Sequence, residues 1–424
     1  MQKLAWKTER RRVSDLVPND KNPRTMSPKQ IEDLKKSLKK FNLVEIPVID
    51  MDNKVIAGHQ RLMVLKLLER GDEKIEVRVP NRKLTKQEYE QYLLGSNRIH
   101  GDWDFEALTK YFDVDTMLES GFDDNDLSTI FADALEASDD DFDVDAELKM
   151  IKKPKAKIGD IFALGKHRLI CGDALDPETI KKLVGTTKVD MIYSDPIYNI
   201  KIDYDRGVGG KASYGGKTND NKSDDAYRVF LKKSMENALS VAKPDCHAFY
   251  WSDQRYTGMV QSLFAELGLV NRRTCLWIKG PANPVPSVAF GKCYEPCSYA
   301  TRGNPYLSPV YMNFSEVLNK EIGTGNKLLD DIMDICDIWL SKRIAGSEYE
   351  HSTQKPVTLH EKAIKRCTKP GGTILDSFGG SGSTLLCADA LKRVCFMSEI
   401  EPIFVDLIIL RFERYAGIKA KKLN

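Results

Sequence analysis

The sequence predicts an α/β protein in two folded parts: a small α+β unit at the amino terminus and a larger α/β domain on a mostly parallel sheet. Three observations predict it. At 424 residues the chain exceeds what one ordinary hydrophobic core organises. Its charge is laid out in blocks: residues 1–100 carry 22 basic and 14 acidic side chains, residues 101–150 carry 2 and 17, and the remainder is basic again. From about residue 155 short apolar runs ending in polar or glycine residues alternate with helical patterns, as a parallel sheet requires.

In order, "SPKQIEDLKKSLKKFN" predicts a helix with Ser27 as N-cap, Pro28 in its first turn and Ile31, Leu34 and Leu38 on one face. "VEIPVID" and "KVIAG" predict a strand pair around "MDNK". "HQRLMVLKLLERG" predicts a helix closed by Gly71. The unit is expected to span 1–112. Residues 113–154 are expected to be an acidic connector carrying the short helix "NDLSTIFADALEA", because "SDDDFDVDAE" cannot bury enough apolar surface to fold alone. In the second part, 155–424, "HRLICGD", "DMIYSD", "CHAFYWSD", "RTCLWIKG", "GTILDSFGG" and "RVCFMSEIE" predict strands. Segments 200–225 and 280–350 break the pattern, and insertions of that length in a compact domain are usually functional or disordered.

No apolar run approaches the roughly 18 residues of a membrane span, and the first residues lack a signal core, so a cytoplasmic protein is expected. The nine cysteines form no CxxC pair, and Cys293 and Cys297 have no histidines at metal spacing; reduced thiols and no metal are expected. The two basic blocks suggest phosphate-bearing partners.

Two motifs carry the chemistry. "VDMIYSDPIYNI" ends a buried strand in Asp195, Pro196 and Tyr198, and proline forces the chain to turn at the sheet edge. "ILDSFGGSGSTLLCADAL" runs a strand into a glycine-rich turn and a helix, whose amides suit a close-lying ligand. Glu399 ends the next strand, about 20 residues on, where an acid grips ribose hydroxyls. The turn lacks GxGxxG spacing and a P-loop lysine, which disfavours dinucleotide and ATP-loop readings.

Asp-Pro-x-Tyr together with F-x-G-x-G resembles the amino-methylating DNA methyltransferases, which use S-adenosylmethionine to modify adenine N6 or cytosine N4. "STQKPVTLHEKAIK" and "CGDAL" resemble flanking segments of that family, and the catalytic motif precedes the cofactor motif, the permuted β arrangement. The resemblance covers about 158–415 and implies a Rossmann-like fold acting on double-stranded DNA with a flipped-out base. It implies Asp195, Pro196 and Tyr198 as catalytic residues. Asp173, Thr353, Lys355, Asp376, Phe378, Gly380, Ser381, Gly382 and Glu399 would bind S-adenosylmethionine. Tyr198, Asn199, Lys201, Arg206, Lys211 and Lys217 would meet DNA. The family usually has proline where this chain has Ile197, which bears on rate more than on reaction type. Aspartate before the proline leans toward adenine, with cytosine-N4 as the alternative. A non-catalytic DNA-binding or partition-like protein with a degenerate methylase fold is the rival from another class. Cytosine C5 chemistry needs a cysteine nucleophile; Cys297, in "EPC", lacks the accompanying residues and reads as a strand position.

"NPR", "VIAGHQRLMVLKLL" and "NRIHGDWD" resemble the ParB N-terminal fold shared with sulfiredoxin. That resemblance implies a phosphate or nucleotide site at Arg24, Gly58, His59, Gln60 and Arg61, although ParB is richer in arginine there. A homodimer is a further expectation; the recognition sequence is not legible.

Overall fold

The computed structural model describes residues 3–19, 26, 28–98, 105–120, 122, 126, 127, 130, 131, 135–201, 220–278, 293–308, 337–340 and 355–424. Ser27, Arg24, Thr353, Arg206, Lys211, Lys217, most of "NDLSTIFADALEA" and most of segments 200–225 and 280–350 lie outside the described residues. The chain divides into two compact units, Met1–Ala134 and Leu135–Asn424.

In the first unit, β1 (Trp6–Arg12), β2 (Val48–Ile49), β3 (Val55–Ala57) and β4 (Lys74–Pro80) form a sheet in the order β1-β4-β2-β3. Strand β4 alternates exposed lysine, glutamate and arginine with buried Ile75, Val77 and Val79, the period-2 pattern of a sheet with one face in a core. Leu38 of helix Pro28–Phe41 is buried against that face, and Ile31 and Leu34 pack beside it. The helix after β3, His59–Leu67, ends before Gly71: Leu68 is its C-cap, and Glu69 takes the left-handed turn at φ 58°. The Arg70–Glu73 ion pair fastens the chain beyond, so glycine is not required there.

The second unit is a ten-stranded sheet: β5 (Ile161–Leu164), β6 (His167–Cys171), β7 (Val189–Ser194), β8 (Ala242–Trp251), β9 (Val270–Ile278), β10 (Tyr294–Arg302), β11 (Ile338–Leu340), β12 (Thr373–Asp376), β13 (Val394–Glu399) and β14 (Lys421–Lys422). The order is β11-β9-β10-β8-β7-β12-β13-β6-β5-β14. The centre, β8-β7-β12-β13-β6, is parallel, and antiparallel strands flank it. Successive residues enter opposite cores: Met191 and Tyr193 pack on one face and Ile192 on the other, as do Ile374 and Leu375. The fold class expected from sequence is therefore found, with helices on both faces.

The chain leaves β7 toward β8 on one side and continues from β12 to β13 on the other. The neighbours β7 and β12 thus define the topological switch point, where open α/β sheets bind ligands beyond the strand ends.

The acidic stretch expected as a connector does not stand free after residue 135. Helix Val144–Met150 buries Val144 and Leu148 against Leu407, and Asp139 and Asp140 are bonded into the second unit. A segment unable to fold alone can still order itself on a preformed surface that supplies apolar contacts and cationic partners.

Candidate active site at the β7–β12 switch point

Strand β7 delivers Asp195 to the sheet edge. Asp195 Oδ2 accepts from Lys355 Nζ at 2.6 Å. Its other oxygen, Oδ1, is buried and has no hydrogen-bond partner among the described residues. A buried acceptor without a donor is costly unless something else satisfies it. Burial pushes the Asp195 carboxyl above its ordinary value, and Lys355 pulls it part of the way back.

Lys355 is 6% exposed and sits among two carboxylates and two aromatic rings. Its Nζ donates to Tyr198 Oη at 2.8 Å, lies 3.6 Å from Glu295 Oε2, and stands 4.7 Å from the centroid of the Trp251 ring. Tyr198 Oη in turn donates to Glu295 Oε2 at 3.3 Å. Burial works against the ammonium, but Asp195 and Glu295 outweigh it and Lys355 is held above its ordinary pKa. Lys355, expected beside the cofactor, is in contact with the catalytic-motif residues: its long stem reaches a buried region where two carboxylates converge on it.

Ile197 packs its side chain into the core on one face of the sheet, and its carbonyl accepts from Tyr227 Oη at 2.6 Å. The position usually proline is therefore held by packing and a hydrogen bond. Asn199, expected at DNA, is buried. Its backbone N–H donates to Asp220, its side chain donates to Lys222 O and Tyr256 Oη, and its Oδ1 accepts from Lys222 N. These bonds clamp the two ends of the 202–219 segment. The exposed Lys201 donates its backbone N–H to Asp220 O in the same clamp.

Beside this site β12 turns into helix Ser383–Ala390 through Gly379, Gly380 and Gly382. Gly382 caps the helix at φ 83°, a conformation that strains other residues, and a Cβ there would lie 3.2 Å from Ile408. At Gly379 a Cβ would meet Met397 at 2.9 Å. Glu399, at the end of β13, accepts from Gly380 N at 2.8 Å and Glu401 N at 2.9 Å. Burial raises its carboxyl to about 7, with those two amides opposing the rise. Asp376 is 2% exposed; its Oδ1 accepts from Phe378 N, and burial lifts it to about 8 against that bond. Phe378 packs in the core with Phe230. Asp173 Oδ1 accepts from Leu175 N, and Gly172 N donates to Glu399 O, so the "CGD" segment adjoins the end of β13. Ser381 is held by Arg411, whose Nη1 donates to its carbonyl at 2.9 Å. A tight glycine turn, helix amides and a strand-end carboxylate fit a nucleoside-bearing cofactor.

Sequence reading missed three residues that build this site. Glu295 and Trp251 were passed over inside strand patterns, although a glutamate within an apolar strand is itself a signal of a buried partner. His360 was invisible: it bridges Tyr193 Oη (3.0 Å) and Ser383 Oγ (2.9 Å), joining β7 to the helix after the turn, and burial holds it down to about 3, hence neutral. Cys297 is a fully buried residue of β10 whose thiol burial pushes well up, unsuited to nucleophilic work.

In the first unit Gly58 caps helix His59–Leu67 at φ 96°, where an added Cβ would lie 3.1 Å from Pro47 Cβ. His59 Nε2 accepts from Asn19 N at 3.2 Å, and burial lowers it to about 4, so it is a neutral fastener. Arg61 is ion-paired with Glu45, and Gln60 has partners of its own. Among the described residues no helix is long and apolar enough to cross a membrane.

Strand topology, the Asp-Pro motif at one strand end and a glycine turn at the adjacent one define an open α/β fold with a candidate ligand site at its switch point. Residues 189–410, more than half of the chain, match the N6/N4 DNA methylase family model, and the chain belongs to that S-adenosylmethionine-dependent family. The Type II methyltransferase M2.DpnII of Streptococcus pneumoniae is 28% identical over 233 residues, 53% of this chain and 82% of that protein. The Type II methyltransferase M.BamHI of Bacillus amyloliquefaciens is 25% identical over 244 residues, 54% of this chain, and the match spans about half of that relative, 53%. Among solved structures, PvuII DNA methyltransferase (cytosine-N4-specific) is 15% identical with a TM-score of 0.43, over 60% of this chain and 91% of that one.

Proposed function

We propose that the protein methylates the exocyclic N6 amine of adenine in double-stranded DNA, at a base flipped into the β7–β12 edge. The observation that carries this reading is Asp195 Oδ1, a buried acceptor without a donor among the described residues, at the end of β7. An amine conjugated to its ring is a poor nucleophile because its lone pair is delocalised. Accepting one N–H at Asp195 Oδ1 and the other at the Pro196 carbonyl pulls the nitrogen toward tetrahedral geometry and frees that pair. Tyr198 would stack on the base and hold it in line. Lys355 keeps Asp195 oriented through Oδ2 while leaving Oδ1 to the amine. The glycine turn and Glu399 would hold S-adenosylmethionine, whose sulfonium would give up its methyl to the amine nitrogen and leave as the thioether, the amine losing one proton. Aspartate in the motif supports adenine; cytosine N4 needs the same two acceptors and is the second reading. Lys201, with the basic residues of the 202–219 segment, would meet phosphates, giving salt-sensitive binding.

For the first unit we propose a ParB-like module. The glycine-capped start of helix His59–Leu67 supports a phosphate there. A phosphate at Arg61 would have to displace Glu45. The deciding experiment is nucleoside mass spectrometry of unmethylated DNA incubated with protein and S-adenosylmethionine, beside Asp195→Ala. N6-methyladenine that vanishes in the variant is expected. N4-methylcytosine would change the base alone, and no methyl product from a protein that binds the cofactor would refute the catalytic reading.

A further inference from the structure

The acidic segment that precedes the sheet is fastened to the glycine turn through one buried cation. Arg411 projects from helix Pro402–Ala416 and is 1% exposed. Its Nε donates to Asp140 Oδ2 at 2.7 Å and its Nη2 to Asp140 Oδ1 at 2.5 Å. Its Nη1 donates to Ser381 O at 2.9 Å and Ser381 Oγ at 3.1 Å. The ring of Phe142 lies 5.6 Å from the guanidinium. The planar fork is thus divided, one edge on a carboxylate and the other on the turn backbone. A guanidinium withdrawn from water needs its charge matched, and Asp140 matches it. One residue earlier, Asp139 accepts from Thr358 N and Thr358 Oγ1, both at 3.0 Å, three residues beyond Lys355. Ala137 N donates to Glu361 in the same stretch. Consecutive aspartates therefore grip the two pieces of chain that flank the site.

We propose that Asp140 and Arg411 are positioning residues for the cofactor: they fix the Ser381 carbonyl and so aim the amides of the Gly379–Gly382 turn. The segment 139–140, ordinary linker by composition, is then part of the cofactor site without touching the cofactor. Without Asp140, the guanidinium loses its counter-charge and either turns to solvent or pulls Ser381 with it. The inference rests on reading that turn as the S-adenosylmethionine site.

The test uses the full chain, with S-adenosylmethionine affinity measured by isothermal titration calorimetry and methyl transfer followed on unmethylated DNA. Asp140→Asn is expected to raise the cofactor Kd about tenfold or more while kcat at saturating cofactor changes little. Glu147→Gln is the control: Glu147 is bonded to Arg414 on the same helix pair but not to the turn, and its variant is expected to keep the wild-type Kd. Asp140→Glu keeps the charge with altered reach and is expected to fall between the two; it decides the matter if Asp140→Asn fails to fold. A folded Asp140 variant with wild-type Kd, or one that loses kcat with Kd unchanged, overturns the inference. A wild-type protein that binds no S-adenosylmethionine overturns the cofactor reading and the inference with it.

Discussion

Replacing Lys355 with methionine removes the ammonium at nearly constant volume. What it leaves is Asp195 and Glu295, two carboxylates that shared one cation at 2.6 and 3.6 Å. Breaking a buried ion pair from one side costs about 3–5 kcal/mol. Asp195 retains 30% of its side-chain exposure, which screens the effect, so the lower end, about 3 kcal/mol, is the better figure. With the ammonium gone, burial and the Glu295 charge act on the Asp195 carboxyl unopposed, and it moves further above its ordinary value. The acceptor role requires the ionised form, so activity is lost as pH falls through the carboxyl's pKa. The acidic limb of the pH–rate profile must therefore move to higher pH in Lys355→Met, with the rate recovering toward alkaline pH. The assay is transfer of labelled methyl to DNA across pH at saturating cofactor, since a lysine acting on the cofactor would raise KM instead. A variant with the wild-type profile and a raised KM for S-adenosylmethionine would refute the reasoning.

Other consequences follow from the same geometry. Asp376 sits at about 8 against an ordinary 3.8, so between those values the folded state binds the extra proton and stability falls as pH rises; Asp376→Asn is expected to raise Tm at pH 8 by removing a cost of at least about 2 kcal/mol, and an unchanged difference across pH would contradict it. Glu399, raised to about 7, grips ribose better when ionised, so S-adenosylmethionine affinity is expected to weaken as pH falls below about 7, and calorimetry on Glu399→Gln is expected to show weak binding without that pH dependence. Gly382→Ala places a Cβ 3.2 Å from Ile408 at positive φ and is expected to cost about 1–2 kcal/mol of stability in denaturant unfolding, with weaker cofactor binding. Cys297→Ala is expected to keep methyl transfer while losing about 1 kcal/mol or more in the same unfolding assay, because the thiol fills core space; abolished transfer in a folded variant would revive the cysteine chemistry.

The parallel centre of the sheet, Asp195 at one strand end, the glycine turn at another and Glu399 beyond it were legible in the chain itself. Each is a local matter: strand periodicity, a proline that stops a strand, glycines where the backbone must turn, an acid at a strand end. The short strands β5, β11 and β14 were not, because two to four residues carry too little periodicity to stand out. Nor were the ion-pair partners of Lys355, which its motif places beside the cofactor. Its partners Asp195 and Glu295 lie 160 and 60 residues away, and only the sheet order β10-β8-β7 brings them to one ammonium. Asn199 is expected to meet DNA, and its burial was not legible, because it comes from the cross-bonding of the loop's two ends where they leave the sheet. The acidic run 139–140 looked like solvated linker by composition alone. Whether a carboxylate is solvated or paired depends on the cation folding sets beside it, and Arg411 stands 271 residues further along the chain. Backbone conformation and strand placement were written in neighbouring residues; the pairing of buried charges was decided by topology.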